Sequence, residues 1–104
     1  MNVATEINKE LLGEIAAESI AKINPRQENG KRWINAIAKA TVEIENNPFM
    51  TYNHDSHSLL MLSERSGQIY TANGTCQCEA HRKGYPCYHR AASRLIQIYV
   101  ERTN

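Results

Sequence analysis

All three cysteines of this 104-residue chain lie in TCQCEAHRKGYPCYH, residues 75–89. They fall as Cys76-x-Cys78, eight further residues, then Cys87-x-His89. A chain this short buries only a modest core and gains from a covalent or metal staple. The crowding therefore limits the fold more than any other feature. Three is an odd count, which a closed disulfide framework cannot use up. Glu6, Lys9, Glu10, Glu14 and Glu18 interrupt the first twenty residues, which lack the apolar run of a signal peptide. No stretch approaches the roughly 20 apolar residues of a membrane span. The expected location is the reducing cytoplasm, where clustered Cys and His point to metal rather than to disulfides.

Zinc takes four ligands in a tetrahedron, drawn mainly from thiolate and imidazole. Cys76, Cys78, Cys87 and His89 supply a closed Cys3His set for one structural Zn2+ ion. At the end of a strand, side chains i and i+2 point the same way, so both thiolates of Cys76-x-Cys78 can reach one ion. The eight residues between the pairs are long enough to loop round it, and Gly84 and Pro86 carry turn chemistry. Cys87-x-His89 then delivers two ligands at the start of a helix, where exposed N–H groups favour thiolate. Gln77, Glu79, Arg82 and Lys83 make the segment too polar for a strand core. His81, inside the loop, is the alternative to His89 as fourth ligand. His54, Asp55 and His57 form an isolated trio that reads as polar surface more readily than as a second site.

The rest of the chain reads as helix and strand. Val3, Ile7, Leu11, Ile15 and Ile20, with Leu12, Ala16 and Ile23, follow the helical period over residues 3–23. Glu6, Glu10, Glu14 and Glu18 form a solvated row on another face. Asn24-Pro25 marks a break and restart. A second helix is predicted over 26–46, with Trp33, Ile37, Ala40 or Thr41, and Ile44 as its core stripe. Gly30 weakens its early part, so regular helix is expected from near Lys31. Asn46-Asn47-Pro48 stops it. Residues 49–57 read as a loop or the start of a strand. SLLML (58–62) and QIYTA (68–72) flank a turn at Ser66-Gly67 and predict a β-hairpin. A last helix is expected from Tyr88 or His89 to about Glu101, with Ala92, Leu95, Ile96 and Tyr99 as its apolar face. The fold class is α+β: an N-terminal helical hairpin (1–48) packed with a β-hairpin, zinc knuckle and C-terminal helix (49–104), as one compact unit.

The pattern CQC-x8-CYH resembles a SWIM-type zinc finger, whose signature is Cys-x-Cys, a variable spacer, then Cys-x-His. The flanks match: a β-hairpin before the first pair (LLMLSERSGQIYTA), a Gly/Pro turn before the second (KGYPCYH) and a helix after it (RAASRLIQIYV). The resemblance covers residues 58–101, nearly half the chain. It implies zinc binding through Cys76, Cys78, Cys87 and His89, and a role in binding DNA or protein. WINAIAKATVEIENN is similar to helices that small bacterial and mobile-element proteins pair with this finger.

An enzyme is not expected. Four ready ligands leave no open position for the water of a catalytic zinc, and no phosphate-binding glycine loop or Gly-x-Ser-x-Gly is present. Two binding functions remain. The formal net charge is only +1. However, Arg82, Lys83, Arg90 and Arg94 surround the finger with no acidic residue between Ala80 and Val100. Tyr85 and Tyr88 lie among them. Such residues position phosphates and stack on bases. A small regulatory or accessory protein that binds nucleic acid, DNA before RNA, is the first reading, with Arg82, Lys83, Tyr85, Arg90 and Arg94 as contacts. The second is a protein-interaction adaptor or a phage or mobile-element inhibitor, its amphipathic helices offering a face to a partner or to a homodimer.

Overall fold

A computed structural model of the protein describes residues 3–47, 50–53, 55–56, 58–62, 69–72, 83–84 and 86–103. Its elements are α1 (Val3–Glu6), α2 (Lys9–Ala21), α3 (Gly30–Asn46), β1 (Met50–Asn53), β2 (Ser58–Leu62), β3 (Ile69–Ala72) and α4 (Tyr88–Thr103). The class is α+β.

The first predicted helix is two. Asn8 interrupts it, because its Oδ1 accepts the N–H groups of Glu10 and Leu11 at 3.0 and 3.2 Å. That is an N-cap: a side-chain oxygen satisfies amides that have no partner within the helix. The N–H of Asn8 itself donates to the Tyr99 hydroxyl at 2.9 Å, which ties the break to α4.

Between α2 and α3 the chain turns rather than restarting a helix at once. Asn24 Oδ1 accepts the Arg26 N–H at 2.9 Å, and the Asn24 carbonyl accepts the Gln27 N–H at 3.1 Å. Asn29 has a φ of 62°, a left-handed value that asparagine tolerates better than most residues. The helix therefore begins at Gly30, close to the start near Lys31 expected for its regular part and four residues after the outer bound of 26. Gly30 is needed for more than flexibility. A Cβ placed there would sit 2.2 Å from the Asn24 carbonyl oxygen. Gly30→Ala is therefore expected to destabilise the protein by about 1–3 kcal/mol through overpacking. Helix propensity alone predicts the opposite sign. Urea unfolding of the two proteins measures the difference.

The sheet has three strands rather than the predicted two, in the order β1-β2-β3, with both pairings antiparallel. Met50 pairs with Met61 and Tyr52 with Leu59. These four side chains are buried, while Thr51, Asn53 and Leu60 are exposed. This is the period-two alternation of a sheet with one covered face. At the β1–β2 corner, Asn53 Oδ1 accepts the Asp55 and Ser56 N–H groups at 2.9 and 3.3 Å.

One apolar cluster joins all the helices to the sheet. It takes Val3 from α1, Leu12 and Ile15 from α2, Ile37, Ala40 and Ile44 from α3, the inner face of β1 and β2, and Ala92, Leu95 and Ile96 from α4. α4 is the hub, packing against α2, α3, β2 and β3. Alanines on both sides of its contact with α3 (Ala36 and Ala40, Ala91 and Ala92) are buried and let the two helices approach closely. Arg102 near the end of α4 pairs with Glu18 of α2 at the surface. Among the described residues no helix is long and apolar enough to cross a membrane.

Candidate functional site

The start of α4 carries the described half of the cysteine–histidine set. Lys83 and Gly84 lie in a turn, and Gly84 has a φ of 79°, a conformation that costs glycine nothing because it lacks a Cβ. Pro86 and Cys87 lead directly into the helix. The Cys87 carbonyl accepts the Ala91 N–H at 3.2 Å, opening the helical ladder. Cys87 is 3% exposed and His89 6%. Two polar or reactive side chains, one residue apart, are thus drawn into the interior at the first turn of α4.

Burial pushes the His89 imidazole down to about 4, and the positive charge of Lys39 adds to the effect. The ring is neutral at pH 7, the form whose lone pair can hold a metal. The Tyr88 ring lies 4.0 Å from the His89 ring, tilted by 34°. Lys39 Nζ sits 4.2 Å from the Tyr88 ring centroid, within cation–π range. Helix α3 thereby brings a positive charge to the candidate ligands.

Cys76 and Cys78 lie outside the described residues, as do His81, Arg82, Tyr85, His54 and His57. Asp55 is exposed. Among the described residues no three His, Cys, Asp or Glu side chains form a metal-binding group. The pair that is described fits half of a tetrahedral zinc site in chemistry: one thiol and one neutral imidazole, both buried, on one helical turn. A closed zinc there would act as a cross-link, with its coordination filled by protein.

The expected contact residues on α4 share a face. Arg90 and Arg94 are four positions apart and so adjacent on the helix surface. Arg94 and Lys83 are exposed and Arg90 is half-buried. The Arg90 guanidinium carbon stands 5.5 Å from the Trp33 ring centroid. Trp33 is half-buried, packed against the core along one side. It is therefore a partial exception to its expected core role. Lys39 and Trp33 are the residues that sequence reasoning did not connect to the site. Trp33 opens the α3 core stripe and Lys39 sits beside it, and only the packing of α3 on α4 places them near residues 88–90.

The chain matches no protein-family model, no curated protein and no solved structure. The reading of the site rests on its own chemistry.

Proposed function

We propose that this protein is a small, non-enzymatic, SWIM-like zinc module of the cytoplasm that binds nucleic acid, DNA before RNA. In this reading Cys76, Cys78, Cys87 and His89 hold one zinc ion, which ties the chain after β3 to the start of α4. The joint sets how α4 presents its positive side. Arg82, Lys83, Tyr85, Arg90 and Arg94 make the contacts, and Lys39 joins them.

The observation that carries the proposal is the gathering of positive charge at one end of α4. Lys39 crosses from α3 to within 4.2 Å of the Tyr88 ring, next to His89. Arg90 lies in the same first turn of α4, and Arg94 follows about one turn along. Among the described residues, the carboxylate that pairs with a cation of α4 is Glu18, which meets Arg102 at the opposite end. Phosphate contacts need such one-signed clustering more than a high total charge.

Salt dependence tests it. Fluorescence anisotropy with a labelled DNA duplex is expected to show binding at roughly 50 mM salt that weakens steeply as salt rises. Arg94→Ala should lower the slope of log affinity against log salt by about 1, as expected for a lost phosphate contact. If neither DNA nor RNA binds at that salt, the nucleic-acid reading fails. A single stoichiometric partner in a pull-down would then favour a protein-interaction role.

A further inference from the structure

Helices α2, α3 and α4 enclose a cleft of about 280 Å³. Trp33, Ile37 and Leu95 give it apolar walls, Ser19 lies at the α2 side, and Arg90 and Arg94 supply its charge. No carboxylate lines it among the described residues. Two guanidiniums four positions apart repel each other, and here they border a partly apolar space. The Arg90 guanidinium lies over the Trp33 ring at 5.5 Å, and among the described residues no acid pairs with it. Its Nε is buried with no hydrogen-bond partner among the described residues. An unmade hydrogen bond at a charged group is costly, and an anion beside the guanidinium offsets part of that cost through its charge.

We propose that this cleft binds a small organic anion, a carboxylate or phosphate carried on a single-ring apolar body. Arg90 and Arg94 take the charge in the forked geometry that guanidinium offers oxyanions. Trp33, Ile37 and Leu95 take the body. The volume lies just under the roughly 300 Å³ lower bound of ordinary ligand pockets, which limits the occupant to about one ring. Small-anion binding does not depend on the nucleic-acid reading, since it needs neither zinc nor a polymer. The same chemistry has two sources, a free small molecule or the phosphorylated end of a nucleic-acid strand.

Trp33 is the only tryptophan in the chain, so its fluorescence reports on the cleft without labelling. Benzoate and phenyl phosphate are titrated against the full-length protein, with benzamide as the neutral counterpart of benzoate. Saturable change is expected with at least one anion. Benzoate should bind about tenfold or more tighter than benzamide, the size of one charge-assisted hydrogen bond. Arg94→Gln, at an exposed position where folding is not at risk, should weaken the anion about tenfold. Competition by a 5′-phosphorylated oligothymidylate assigns the natural ligand to a strand end, and its failure to compete assigns it to free anions. No saturable change with either anion overturns the proposal. So does equal affinity for benzoate and benzamide, or an Arg94→Gln protein that binds as well as the parent. A negative result here leaves the salt-dependent DNA experiment unaffected, so the two readings fail separately.

Discussion

On the zinc proposal, Cys87→Ser should bind no zinc and melt more than about 10 °C below the parent protein. A structural zinc supplies roughly 10–16 kcal/mol of apparent binding free energy in small zinc domains at neutral pH. In a chain of this length each kcal/mol moves the midpoint by about 4–8 °C. Even a fraction of the metal's contribution is therefore visible. Serine is a good test residue because it is itself a preferred residue at a helix start. The carbonyl of residue 87 can still accept the Ala91 N–H. Loss of stability then reports the thiolate rather than the helix cap. The chelator control separates zinc from packing. A strong chelator should lower the midpoint of the parent to near that of Cys87→Ser, and should leave Cys87→Ser itself unmoved. Elemental analysis should find one zinc per chain in the parent. A parent protein that carries no zinc and keeps its full midpoint in chelator would remove the metal centre altogether, and the SWIM resemblance would then be one of spacing only.

The parts of the fold that were legible in the sequence are those governed by local chemistry. The end of α3 at Asn46, the strands β2 and β3 and the start of α4 beside Pro86 follow from breakers and periodicity. The differences arise where a polar residue has two competing roles. Asn8 sits within an unbroken helical period of apolar residues, yet its side chain caps α2 and its amide reaches Tyr99, 91 positions away. Asn24 looks like a cap for an immediate helix but instead holds a turn; the start of regular helix near Lys31, read from Gly30, lies within one residue of the observed start after the left-handed Asn29. β1 is a four-residue strand whose partner lies beyond a turn, and its apolar positions, Met50 and Tyr52, are too few to declare a period alone. At the site, residue type and spacing singled out Cys87 and His89, and the structure buries both. The surroundings of that pair were not legible. That Lys39 and Trp33 flank α4 depends on the crossing of two helices from distant parts of the chain, which no spacing rule encodes.

Leu12→Ala should lower the stability of the whole protein by about 2.5–5 kcal/mol, in one transition. Leu12 is fully buried on α2, far in sequence from the cysteines. Truncating such a side chain loses its transfer free energy and leaves a cavity that the surroundings fill only in part. Domains of this size have roughly 5–15 kcal/mol in total, so the change is a large share. The more informative part is where the loss is felt. Leu12, Ile37, Ile44, Leu95 and Ile96 belong to one buried cluster, and α2 contacts both α3 and α4. Loosening α2 should therefore weaken the seat of α4 as well. Urea unfolding followed by Trp33 fluorescence, which reports on α3 and α4, and by far-UV circular dichroism, which reports on all helices, should give coincident midpoints. Both should move to lower urea with little change in slope. Two separated transitions would instead show that the N-terminal helices unfold independently of the half that carries Cys87 and His89. The position of α4, and with it the basic face and the cleft beside Trp33, would then not depend on α2. Coincident curves would mean that a leucine near the N-terminus helps to set the geometry of a site built around residue 87.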